Sequence, residues 1–131
     1  MMVIYRNGQH APAPLGLYCH IARAGDMVFF AGVAALGHDG EVIGPGSLEQ
    51  QLMAIYDEME GLLADEGLSF SSIVQMTTFI RNEEDVSEFY RVRTIAYEHL
   101  YPQKTYPPNA TVVCKLADPD LLIEVQFIAA A

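Results

Sequence analysis

The stretch "PPNATVVCKLADPDLLIEVQFIA", residues 107–129, decides the fold. Two runs within it, "NATVVCKL" and "LLIEVQFIA", are rich in apolar and β-branched residues and are separated by "ADPD". Branched side chains suit a pleated surface, and Asp and Pro favour turns, so the pattern predicts two closing strands. The second run is apolar except at Glu124 and Gln126. A buried carboxylate is costly unless it is paired or protonated, so Glu124 requires an explanation. Strand side chains alternate between faces. Asn109, Thr111, Val113 and Lys115 therefore share one face of the first strand, and Leu122, Glu124, Gln126 and Ile128 one face of the second. If those two faces coincide, Glu124 meets an amide, a hydroxyl and an ammonium in a pocket suited to positioning water or moving a proton. If they do not, the polar residues are the solvated side of a hairpin.

Working outward, "SIVQMTTFI" (72–80) reads as a third strand. Ser47 opens a helix, with Gln50 at the capping-box spacing and Leu48, Leu52, Ile55, Tyr56, Met59, Leu62 and Leu63 on one apolar face. Gly67 is its expected stop. Asn82 is the expected cap of a second helix, whose first turn carries Glu83, Glu84 and Asp85 and whose stripe is Val86, Phe89, Tyr90, Tyr97 and Leu100. Nearer the start, "HAPAPLG" (10–16) excludes helix through its prolines. "LYCHIA" (17–22) then reads as a strand with Tyr18 and His20 on one face. "MVFFAGVAAL" (27–36) reads as another, with Gly32 marking a bulge or a close approach of backbone. The expected order is strand, strand, helix, strand, helix, strand, strand, in a single domain over 1–131. Two amphipathic helices cover only one face of such a sheet, so self-association is expected to cover the other.

Composition agrees. The chain is 51% apolar and only 18% charged, below the roughly 25% charged residues of an ordinary soluble domain, as expected if surface is buried in an oligomer. Its net charge of −10, from 17 acidic and 7 basic residues, disfavours nucleic acid and anionic membranes as partners. Cys19 and Cys114 form no metal or redox spacing, and the first residues do not read as a secretion signal, so a reduced, cytoplasmic chain is expected. No nucleotide-binding or serine-hydrolase motif appears, and no histidine–carboxylate spacing suggests a metal.

The segments "APAPLGLY", "DMVFFAGVAAL", "LLADEGLSFSSIVQMTTFI", "EFYRVRTIAYEHLYP" and "LLIEVQFIA", in that order and spacing, resemble the Rid (YjgF/RidA) family of reactive-intermediate deaminases over nearly the whole chain. The resemblance implies an α+β fold of the chorismate mutase-like kind, a mixed sheet backed by two helices. It implies a homotrimer built around a central barrel, with pockets between subunits. It also implies hydrolysis of enamines or imines to a keto acid and ammonia, with no cofactor and no metal. Carried over by position, Glu124 is the catalytic glutamate that orients water, and Tyr18, Ala31, Asn109 and Thr111 line the substrate site. Two positions depart from the family. Ala31 stands where many members have a hydroxyl, and Asn109 stands where deaminating members have the arginine that grips the substrate carboxylate. Lys104, Lys115 and Arg93 are the candidate replacement cations. The two functions that follow are a cofactor-independent imine or enamine hydrolase with altered substrate recognition, and a trimer that binds a small metabolite without turnover.

Overall fold

The computed structural model describes residues 1–131. Seven strands and two helices follow in chain order: β1 (Val3–Arg6), β2 (Ile21–Ala24), β3 (Met27–Phe30), β4 (Val33–Ala34), α1 (Leu48–Asp65), β5 (Ile73–Ile80), α2 (Val86–Leu100), β6 (Asn109–Val113) and β7 (Ile123–Ala130). The start of α1 is set by Ser47, whose hydroxyl accepts the Gln50 N–H at 3.1 Å. Its end is set by Gly67, which takes φ +73° while Gly67 and Leu68 donate back to the Ala64 and Leu63 carbonyls. Asn82 does not cap α2. A 3₁₀ turn at Glu83–Asp85 intervenes, and the Asn82 amide donates to the Asp85 carboxylate at 3.2 Å.

The sheet is mixed. Its order is β1-β2-β3-β7-β5-β6, with β4 also paired to β7. Only β5 and β6 run parallel, because α2 carries the chain back across the sheet between them. Both helices lie against the same face. The apolar sides of α1 and α2 form one cluster of 24 buried residues with Val28, Phe30, Met76, Ile80 and the β7 residues Ile123, Val125, Phe127 and Ala129. Phe30 and Phe127 stack at its centre, 4.2 Å between centroids. The opposite face has no cover in the chain. Tyr5, Ala22, Phe29 and Ile128 form one cross-strand row on it, and Val112, Phe79 and Glu124 form another. Phe29 there is 43% exposed. No helix is long and apolar enough to cross a membrane.

Three expectations near the N-terminus need correction. Residues 17–20 are not strand. Pro12, Pro14 and Gly16 hold that segment in bends, and pairing begins only at Ile21. The run 27–36 is two strands, because the ladder breaks at Ala31 and Gly32, where the Ala31 N–H donates to the His20 carbonyl. The edge strand β1, exposed at all four residues, was not anticipated. Arg6 on β1 and Arg23 on β2 both donate to the Glu66 carboxylate just beyond α1, which ties that edge to the helix layer.

Candidate functional site

Glu124 sits in the middle of β7, opposite Ala34 on β4 and Phe79 on β5. Its side chain leaves the uncovered face and enters a cavity of about 620 Å³. Tyr18, His20, Gly32, Glu58, Asp118 and Leu121 are among the other walls of that cavity. The Glu124 carboxylate forms no hydrogen bond or ion pair with the protein, and burial pushes it above the usual carboxylate range. Gly32 has a steric role. A Cβ there would overlap Oε2 of Glu124 and lie 3.2 Å from its carboxyl carbon, so only glycine leaves the carboxylate its place. This is the close approach that the glycine in "FFAGVA" implied.

Tyr18 and His20 reach the same cavity from the bent segment rather than from a strand. The Leu15 N–H donates to the Tyr18 hydroxyl at 3.3 Å. The Gly8 N–H donates to Nδ1 of His20 at 2.9 Å, so the neutral imidazole carries its proton on Nε2. Ala31 lies beside Gly32 in the chain and brings no polar side chain to the site.

Three contributors were not singled out from the sequence. Glu58, on α1, lines the cavity, and burial raises its carboxyl to about 7. Gln51, fully buried on α1, donates from Nε2 to the Gly44 and Asp120 carbonyls at 3.2 and 3.0 Å, while its Oε1 accepts the Leu122 N–H at 2.8 Å. Arg81 donates to the carbonyls of Leu121, Leu116 and Asp118 at 2.7–3.0 Å. Gln51 and Arg81 together fix the β6–β7 connection, which forms the cavity lip at Ala117–Pro119 and Leu121. A glutamine on an otherwise apolar helical stripe was the one visible signal.

Asn109 and Thr111 do not join Glu124 within the chain. β5 separates their strands, and Thr111 pairs with Thr78 whereas Glu124 pairs with Phe79. Neighbouring residues of β5 point to opposite faces, so the polar side of β6 faces the helix-bearing side of the sheet while Glu124 lies on the open side. The Thr78 hydroxyl donates to Oδ1 of Asn109 at 2.8 Å, and Nδ2 of Asn109 donates to the Thr111 hydroxyl at 3.1 Å. Asn109 instead lines a second cavity of about 600 Å³ with Arg93, Tyr97, Lys104 and Tyr106. Lys115, past the end of β6, lines neither and makes no ion pair with Glu124.

A family model described as endoribonuclease L-PSP matches residues 8–131. The Escherichia coli (strain K12) protein TdcF, whose name carries a provisional assignment as a reactive intermediate deaminase, is 27% identical over 124 residues, covering 92% of each chain. The 3-aminoacrylate deaminase RutC of Acinetobacter baylyi is 25% identical over 118 residues, covering 90% of each. The crystal structure of E. coli TdcF with bound serine superposes with a TM-score of 0.85 at 26% identity, covering 98% of both chains.

Proposed function

The chain belongs to the endoribonuclease L-PSP family, the Rid (YjgF/RidA) proteins, and from that membership and the Glu124 cavity we propose that it hydrolyses an imine, enamine or related reactive small molecule without a cofactor. The observation that carries this is the Glu124 carboxylate, half-buried at a cavity wall and left without a protein partner. Such a group is free to hydrogen-bond a water. Water adds to the imine carbon, and one of its protons passes by way of Glu124 to the imine nitrogen, giving a carbinolamine. The carbinolamine then collapses to a carbonyl compound as its hydroxyl proton passes by way of Glu124 to the nitrogen, which leaves as ammonia. Burial raises the Glu124 carboxyl above the usual carboxylate range, which strengthens it as a proton acceptor. Tyr18 and the Nε2–H of His20 supply hydrogen-bond donors at the same cavity. The names of TdcF and RutC, a deaminase of provisional standing and a 3-aminoacrylate deaminase, support the reaction class.

The open sheet face supports a homotrimer, with the Glu124 cavity of one subunit and the Asn109 side of the next forming one site. Full burial of a phenylalanine such as Phe29 is worth about 1.5–3 kcal/mol. Sedimentation at micromolar concentration should give three chains per particle, and a stable monomer would refute that assembly. The nuclease activity in the family's description suits this chain poorly, since its net charge of −10 repels RNA phosphates. A binding protein without turnover is the second function, favoured by the engaged side chain of Asn109 and the missing hydroxyl at Ala31. Aliphatic and aromatic imines generated in situ, with ammonia release followed above the uncatalysed rate, separate the two. Acceleration for at least one imine is expected. Saturable binding without acceleration for any of them would leave the binding protein.

A further inference from the structure

The chain has five arginines, and four are committed. Arg6 and Arg23 donate to Glu66, Arg91 to Glu88 and Glu49, and Arg81 to three carbonyls. Arg93 makes no hydrogen bond and no ion pair. Its guanidinium lies 4.7 Å over the Phe89 ring and 5.2 Å over Tyr90. Stacking of this kind holds the guanidinium in place and leaves its in-plane N–H groups free to donate. In a chain where acidic residues outnumber basic ones 17 to 7, an arginine whose guanidinium has no hydrogen-bond acceptor at all is conspicuous.

Arg93 opens onto the second cavity, and so does Lys104. Lys104 is the only non-glycine residue with positive φ, at 59°, a conformation that costs an L-residue energy and tends to persist where a site needs it. Its ammonium also lacks a partner. Glu98 lines the same cavity but pairs with neither cation. Asn109, with one Nδ2 proton given to Thr111 and Oδ1 filled by Thr78, retains a single free N–H there.

We propose that this cavity, between α2 and the 101–109 segment, binds the carboxylate of a small organic acid, with Arg93 as principal donor and Lys104 and the free Asn109 N–H as secondary ones. A planar fork matches a carboxylate in two parallel hydrogen bonds. Glu98 and the net charge of −10 penalise a phosphate dianion more than a monoanion, which favours a monocarboxylate. In terms of the hydrolase function, the substrate class is an imine or enamine of an acid, gripped from helix α2 rather than from strand β6. That extension rests on the function proposed above, whereas the binding site does not.

The test is calorimetric titration of the full chain with pyruvate and benzoate, against pyruvamide and benzamide as neutral counterparts. The acids should bind at least about tenfold tighter than the amides, as expected of charge-assisted hydrogen bonds. Arg93→Gln should weaken the acids by about tenfold to a hundredfold and change the amides by less than about twofold. Arg93→Lys, which keeps the charge but not the fork, should fall between, and it carries the test if the glutamine variant fails to fold. Equal affinity for acids and amides, undetectable binding of either acid, or unchanged acid affinity in both variants would overturn the site. Acid binding through Arg93 without any imine hydrolysis would remove the hydrolase function and leave this site standing. Hydrolysis with an unchanged KM in Arg93→Gln would leave the hydrolase function standing and remove this site's part in holding its substrate.

Discussion

Gln51→Met isolates the link between the core and the cavity lip. Methionine is close to glutamine in length and volume and is tolerated in apolar surroundings, so the cavity cost of a truncation is largely avoided. It offers no strong donor or acceptor in place of the three hydrogen bonds that Gln51 makes. The Asp120 carbonyl lies on an exposed residue and can turn to water. The Leu122 N–H, which enters β7 two residues before Glu124, is part-buried and is left unpaired. An unsatisfied buried donor costs about 1–3 kcal/mol, and the two lost carbonyl bonds bring the total to about 2–4 kcal/mol. For a chain of this length that corresponds to roughly 6–15 °C of melting temperature. Thermal melts at one fixed protein concentration, which an oligomer requires, measure it. Hydrogen exchange at the Leu122 amide should accelerate in parallel. A melting temperature within about 2 °C of the parent, with Leu122 exchange unchanged, would refute the role given to Gln51.

Gly32→Ala should abolish turnover while leaving the fold in place, because the added Cβ overlaps Oε2 of Glu124 and displaces the carboxylate. A crystal structure of the variant with Glu124 unmoved would contradict this. The Glu58 carboxyl is raised from 4.5 to about 7 in the fold, so its favourable contribution is complete below pH 4.5 and is lost as pH rises to about 7. The melting temperature of Glu58→Gln relative to the parent should therefore be near zero at low pH, turn positive between those two values and level off above them. A difference independent of pH would show that burial does not hold Glu58 protonated.

Helix α1 and the C-terminal strands were legible because local chemistry and tertiary packing agree there, whereas at α2 the expected cap and acidic first turn form a separate 3₁₀ turn and Tyr90 of the expected stripe is exposed. Ser47, Gly67, the α1 stripe and the alternation of β7 each specify their own conformation. Gly32 was legible as a close approach, although only the fold identifies Glu124 as what approaches it. The N-terminal segment was less so. Tyr18 and His20 look like strand residues, but their backbone follows the bends set by Pro12, Pro14 and Gly16, and β1 is held by Arg6 and Glu66 across 60 residues of chain. Alternation placed Asn109 with Thr111 and Glu124 with Gln126. Whether the two sets meet depends on the register of each strand against β5, which neither strand encodes by itself. The Rid resemblance pointed to the same residues by position without showing that Asn109 and Glu124 occupy opposite faces of one sheet.

The central claim is that Glu124 moves a proton for an attacking water, and Glu124→Gln tests it most directly. The substitution keeps the shape and removes the charge and the proton-accepting oxygen. Because burial disfavours the Glu124 carboxylate, neutralising it removes a cost to the fold rather than a support. Imine hydrolysis, sedimentation and thermal melts on the same preparations should show turnover lost, the assembly retained and the melting temperature at or above that of the parent near neutral pH. Undiminished hydrolysis with a lowered melting temperature would contradict the account and make Glu124 a structural residue.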